Sequence, residues 1–212
     1  MPLDFGDLNF ELGDVRLTPL SIQHAEQLAE AAGEDPSIYR FNNCPNGIVD
    51  TELYINKSLK NREMGARYPF AILFQGRVAG TTSYADYQPW SWQEGSPLQR
   101  RGVPDALEIG YTWLAKSATR TPCNTTAKYL LLSHAFEQMD VIRVSFQTDE
   151  RNSISRAALE RLGAQFEGVR RAHKVGADGA IRSSALYSIL AKEWPNVREI
   201  LESKLPASYL AD

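Results

Sequence analysis

The run from Asn124 to Ala164 carries residue types suited to holding a long, phosphate-bearing ligand against a strand edge. Asn124, Thr125 and Thr126 are good helix N-capping residues. Backbone N–H groups at such a helix start can point at an anion. Further on, Thr148-Asp149-Glu150-Arg151-Asn152-Ser153 forms a polar turn into a second helix. Other side chains nearby could do chemistry. Glu108 sits at the start of a strand-like segment; taken bare, it reads as solvated or paired with an arginine. Cys123 at a helix N-terminus would gain reactivity if its pKa were lowered there; the simpler reading is a small residue filling a loop. Ser155 near a helix start reads as a local hydrogen-bonding residue. His24, His134 and His173 share no metal-ligand spacing, so no metal site is expected. Ser133 and His134 are adjacent on a helix and do not face each other, which argues against a nucleophile pair. Arg100-Arg101 and Arg170-Arg171 read as solvated or paired charges, with one of them available to a phosphate or an acidic substrate.

The elements that would position these residues can be read from periodicity. Ala127, Leu130, Leu131, Ala135, Phe136 and Met139 are spaced for one buried helix face. From Val141 to Thr148, Ile142, Val144 and Phe146 alternate with Arg143, Ser145 and Gln147, which predicts a strand. The following helix ends at Arg161-Leu162-Gly163, with Gly163 placed as a C-terminal cap. Upstream, a short strand over Val15 to Leu17 leads past Pro19 to a helix capped by Ser21 and stopped by Gly33. A loop rich in Asn, Pro and Gly covers Ile38 to Ile48, and Asp50 reads as the cap of a second helix reaching Met64. Gln75-Gly76 joins two strands as a tight hairpin. Trp90 to Asp105 is an irregular insert, and Leu107 to Leu114 resumes the sheet. Two more strands join through Asp178-Gly179, and a terminal helix spans about 195–205. The sum is an α/β chain with a mixed sheet and helices on both faces.

The 212 residues show no linker, repeat or low-complexity break, which suggests one domain over 1–212 with a core from about 15 to 190. A 43% apolar and 23% charged composition is ordinary for a soluble globular protein. A net charge of −3 argues against a general nucleic-acid binder. Two cysteines cannot build a disulfide framework. No apolar run reaches membrane-spanning length, and the acidic N-terminus is unlike a secretion signal, so a cytoplasmic location with no membrane partner is expected. The terminal helix and the tail Pro206 to Asp212 would be available for a homodimer.

Asn152-Ser153-Ile154-Ser155, followed by Leu159-Glu160-Arg161-Leu162-Gly163-Ala164, resembles a motif of the GCN5-related N-acetyltransferases: Asn, two variable residues, Ser, then a helix closing on Glu-Lys-Leu-Gly-Phe. Leu107-Glu108-Ile109-Gly110-Tyr111-Thr112-Trp113 is similar to that family's central strand. The likeness covers roughly Arg16 to Leu190. It is greatest to the branch that acetylates N-termini of ribosomal proteins, and is specific from Glu108 to Ala164.

The resemblance implies a mostly antiparallel mixed sheet and transfer of an acetyl group from acetyl-CoA to a primary amine, on a protein N-terminus or a small molecule. It implies that Glu108 deprotonates the amine, and that Ser155 protonates the leaving thiolate, because Leu159 stands where many members carry a tyrosine. It places pantetheine along the backbone of Trp113, Leu114 and Ala115 and against Asn152. The phosphate loop matches Thr119-Arg120-Thr121-Pro122-Cys123-Asn124. The family's glycines are missing there and Pro122 removes one donor. The amides of Cys123, Asn124 and Thr125, with Arg120 and the Thr121 and Thr125 hydroxyls, would then meet the phosphates. Trp90 and Trp92 in the insert, and the wall Asn42 to Ile48 with Asn43, would border the acceptor. The altered loop and the missing tyrosine motivate a competing expectation, a CoA-binding sensor or interaction protein without turnover.

Overall fold

The computed structural model describes residues 6–99 and 103–210. Arg100-Arg101 and the last two residues of the tail lie outside the described residues. Eight strands form one sheet: β1 (Phe10–Leu12), β2 (Val15–Pro19), β3 (Arg67–Phe74), β4 (Arg77–Gln88), β5 (Ala106–Leu114), β6 (Arg143–Asp149), β7 (Gln165–Val175) and β8 (Ile181–Leu190). Their spatial order is β1-β2-β3-β4-β5-β6-β8-β7. Among the described residues only β5 and β6 run parallel; each other neighbouring pair is antiparallel. The helices are α1 (Ala25–Gly33), α2 (Gly47–Glu63), α3 (Cys123–Ser133), α4 (Ser153–Leu162) and α5 (Trp194–Glu202), with a short α6 (Ala207–Leu210). No helix among the described residues is long and apolar enough to cross a membrane.

Alternation along the strands sorts side chains between two cores. Leu107, Ile109, Val144, Phe146, Tyr187 and Ile189 pack with Leu131 of α3 and Leu201 of α5 on one face. Leu28 of α1 and Ile55 of α2 pack with Ala71, Val78 and Trp113 on the other. Packing of α1 and α2 centres on β4 and β3, so β5, β6, β8 and β7 are less covered on that side.

Several expectations need adjusting. An additional strand, β1, precedes Val15, folded back through Gly13 with φ +56°. The helix expected to begin at Asp50 begins at Gly47, and Asp50 accepts a hydrogen bond from the Asn46 amide at 2.9 Å instead. Helix α3 starts at Cys123 behind Pro122, with no side-chain cap from Asn124. Thr126 instead bonds back to the Pro122 carbonyl at 3.0 Å. The helical path then widens into a π turn over His134–Gln138. The Gln75-Gly76 hairpin is as expected, with φ +51° and +78° matching a type I′ turn.

Candidate active site

Strands β5 and β6 pair only at Ala106↔Arg143, Leu107↔Val144 and Glu108↔Ser145. Beyond Glu108, β5 continues to Leu114 and β6 to Asp149 without further pairing between them. A wedge therefore opens where Glu108 stands. The β5 lip is irregular. From Ser83↔Gly110 to Thr81↔Trp113, β4 advances two residues while β5 advances three. The extra residue forms a bulge at Tyr111, whose φ is +53°. The bulge inverts the alternation, so Thr112 points toward α3, as Ile109 does, while Trp113 joins the opposite core.

Glu108 is 7% exposed. Burial raises its pKa above that of an ordinary glutamate; the Gln147 amide, which donates to its Oε2, and the charges of Lys174 and Arg182 act in the other direction. The result is a carboxylate more basic than a surface glutamate yet supported as an anion. A Cβ on Gly110 would collide with Glu108 Oε1, so glycine leaves room for the carboxylate. Glu108 lines a cleft of about 560 Å³ together with Asp86, Tyr111, Gln147, Arg170 and His173. Arg143 and Glu167 also face it and hold each other in a bidentate pair.

The β6 lip ends in a turn built from near neighbours. Arg151 donates to Asp149 through its backbone amide at 3.0 Å and through its guanidinium, which also reaches Asp178. Asn152 caps α4, its Oδ1 accepting the Ser155 amide at 3.0 Å. The capping role expected of Asn152 is therefore present. Ser155 is half-buried in the first turn of α4 and does not line the cleft of Glu108. The Phe41 ring lies under the Arg151 guanidinium at 5.0 Å, tying the loop that precedes α2 to this lip.

Other expected site residues spread around the wedge. The Leu114 carbonyl already accepts the Tyr39 hydroxyl at 2.8 Å, and the Ala115 amide donates to Ala79 at 2.7 Å. Backbone left for a strand-like ligand thus lies nearer the bulge. Trp113 is buried, and its indole N–H has no partner among the described residues. In the phosphate-loop segment, Arg120 is exposed and takes the left-handed conformation, φ +60°, that glycine would adopt freely. The Cys123 amide donates to Thr121 Oγ1 at 3.2 Å. The amides of Asn124 and Thr125 have no acceptor among the described residues. An 11-residue helix thus presents two free first-turn donors beside an exposed guanidinium, which fits a phosphate. The Cys123 thiol is fully buried, and desolvation by burial pushes its pKa up to about 12. That removes the reactive-thiol reading.

Trp90 and Trp92 do not line the cleft. Asp105 holds both, accepting the Trp90 amide at 2.7 Å and the Trp92 indole N–H at 2.9 Å. Their loop nonetheless springs from the cleft rim at Gln88. Asn43 is exposed in the loop before α2 and does not line the cleft either. Sequence reasoning missed Asp86, Tyr111, Gln147 and His173 as cleft residues; Gln147 alone carried a signal, lying two residues from Ser145 on the polar face of β6.

Comparison with known proteins decides the family. The acetyltransferase (GNAT) domain matches residues 14–165. The chain belongs to the GNAT acetyltransferase family. A GCN5-related N-acetyltransferase from Brucella melitensis is similar over 95% of this chain and 86% of its own, with TM-score 0.79 and 26% identity. Mycobacterium smegmatis RimJ, solved with CoA-disulfide, shares the fold at TM-score 0.73 and 20% identity, over 93% of each chain. The curated relative "Putative ribosomal N-acetyltransferase YdaF" of Bacillus subtilis is 36% identical over 87 residues, 41% of this chain. The match spans 46% of YdaF, under half of that relative. The GNAT family uses acetyl-CoA, and the wedge with its free strand edge and free helix amides fits such a ligand.

Proposed function

We propose that the protein transfers acetyl from acetyl-CoA to a primary amine in a ternary complex, with residues from about 15 to 190 acting as one acetyltransferase domain. The observation that carries the reading is the position of Glu108: a buried, amide-supported carboxylate at the point where β5 and β6 part. An alkylammonium has a pKa near ~10.4 and is no nucleophile until it loses a proton. Glu108, made more basic by burial, accepts that proton directly or through one water. Unpaired backbone of β5 near the bulge pairs with the pantetheine arm and donates to the oxygen that becomes negative. The Asn124 and Thr125 amides and Arg120 meet the phosphates. Asn152 contributes its side-chain N–H while its oxygen caps α4, and Ser155 gives a proton to the leaving thiolate.

The acceptor class favoured is a protein N-terminus. The support is the name of the relative YdaF, a putative ribosomal N-acetyltransferase. The decisive experiment titrates the protein with acetyl-CoA, desulfo-CoA and adenosine diphosphate, then screens peptides and small amines for acetylation. Saturable binding that needs the pantetheine arm, with turnover of N-terminal peptides, is expected. Absence of binding at millimolar acetyl-CoA would overturn the reading.

A further inference from the structure

Lys128 is 4% exposed, on the α3 face turned to the sheet. Its ammonium has three protons to donate and nothing to accept with. Its partners are two hydroxyls, Thr112 Oγ1 at 2.7 Å and Thr82 Oγ1 at 3.2 Å, themselves 2.8 Å apart. No carboxylate pairs with it among the described residues. An apolar residue would fill this position without the desolvation cost. The location of the triangle gives a reason for an amine. Thr82 lies between the two β4 residues that flank the register shift, and Thr112 follows Tyr111, the bulged residue with positive φ. Thr112 faces α3 only because the bulge has inverted the alternation. A residue on α3 that must find Thr112 therefore selects the bulged frame over a regular strand.

The opposite face is clamped as well. The Arg67 guanidinium stacks 4.0 Å from the Tyr111 ring centroid and donates to Ser83 Oγ at 2.7 Å. Thr81 Oγ1, bonded to Tyr54, reaches the Tyr111 carbonyl at 3.3 Å. Lys128 supplies the α3 side of this grip. It also lies one helical turn beyond Asn124, so the helix that offers free amides is pinned to the strand carrying the bulge.

We propose that Lys128 is a positioning residue that locks the Tyr111–Thr112 bulge through Thr112 and Thr82, fixing the β5 backbone against which acetyl transfer occurs. The inference rests on the acetyl-transfer reading for its consequence, not for the lock itself. Burial alone drives the Lys128 pKa down to about 7, so a neutral amine, able also to accept from a threonine hydroxyl, is accessible near neutral pH.

The test uses the full chain with K128M, T112V and T112S. Since a misplacement of about 1 Å can cost as much as ~100-fold, K128M and T112V should each lower kcat by about tenfold or more, with acceptor KM within about twofold. Their double variant should lose little beyond either single one. T112S keeps the hydroxyl and should stay within about twofold of wild type. Amide hydrogen exchange at Tyr111 to Trp113 without ligand should quicken by about tenfold in K128M and T112V alone. This arm separates the two readings: if wild type acetylates no amine, exchange still decides whether the lock exists. Wild-type exchange at the bulge in both variants would overturn the proposal, and so would faster exchange with unchanged kcat. Should K128M fail to fold, T112V reads the same contact.

Discussion

The two lips of the wedge are held by opposite means. On the β6 side, the bonds are mostly local: Arg151 to Asp149 spans two residues, Ser155 to Asn152 three. Gly163 closes α4 in the left-handed conformation, φ +93°, with its amide on the Glu160 carbonyl. On the β5 side, almost nothing is local. Tyr39 reaches Leu114 across 75 residues, Gln147 reaches Glu108 across 39, and Lys128 reaches Thr112 across 16. Local bonds form whenever the turn forms; the β5 grip exists only in the finished fold. The lip that carries the reacting groups is thus the one more exposed to distant substitutions, whereas the β6–α4 lip takes its turn and cap from near neighbours, and its Arg151 guanidinium reaches far, to Asp178 and Phe41.

The largest break in this contrast comes from Glu108→Gln. Loss of a general base costs about 10²–10⁴ in rate, so kcat/KM should fall by at least ~100-fold. Wild-type activity should decline toward acid with an apparent pKa above 4.5, because burial raises that of Glu108, and the limb should vanish in the variant. The stability sign is opposite. Ionised Glu108 is penalised in the fold at neutral pH, and the penalty disappears as pH falls through its raised pKa. E108Q should therefore be at least as stable as wild type at pH 7, with the difference shrinking in acid. Thermal unfolding between pH 4 and 8 checks this; a variant markedly less stable at pH 7 would show the carboxylate to be structural.

A smaller effect, still on the β5 lip, is expected from Gly110→Ala. The new methyl would collide with Glu108 Oε1, a side-chain atom able to move, so the fold survives while the carboxylate shifts. Displacing a catalytic group by about 1 Å costs up to ~100-fold; a tenfold or greater drop in kcat with little change in acetyl-CoA affinity is the expected split. Loss of binding with unchanged kcat would place Gly110 in the ligand groove instead.

On the β6 lip, Asn152 has two jobs that substitutions can separate. Asn152→Ala removes the cap and should cost about 1 kcal/mol. Asn152→Asp keeps the capping oxygen and should hold stability within about 0.5 kcal/mol, while removing the side-chain N–H offered to pantetheine. Calorimetry with acetyl-CoA should show several-fold weaker binding for N152D; wild-type affinity would leave Asn152 a cap alone.

The same contrast explains what the sequence could tell. The cap at Asn152, the Gly163 stop and the Gln75-Gly76 turn were legible because each is decided within three or four residues. Strand β5 was legible as the segment from Leu107 to Leu114 that resumes the sheet, and Glu108 from its likeness to a family strand. The partners of Glu108 were not, because Lys174 and Arg182 arrive from strands more than sixty residues away. Lys128 gave no signal at all: beside Ala127 and Leu131 it reads as the polar edge of an amphipathic helix, and only the packed fold shows it facing Thr112. The three-residue β1 was too short to show alternation. At Cys123 the reading as a small filling residue holds, and what the sequence could not show is how completely burial raises its pKa, since burial is a tertiary property.

A stability change of mixed sign is expected at Arg120, at the entrance of α3. A non-glycine residue at φ +60° carries roughly 1–2 kcal/mol of strain. Glycine would relieve it but loses about 0.5–1 kcal/mol more backbone entropy on folding. Arg120→Gly should therefore leave stability within about 1 kcal/mol of wild type, since the two effects oppose. Binding should respond separately. If the guanidinium meets phosphate, R120G weakens acetyl-CoA and adenosine diphosphate together, more so at low than at high salt, because an exposed charge pair is screened. The amides of Asn124 and Thr125 remain in the variant, so binding should weaken by several-fold rather than vanish. Unchanged affinity across salt concentrations would leave the phosphates to the helix terminus alone, and the strain at Arg120 would then serve only to turn the chain into α3.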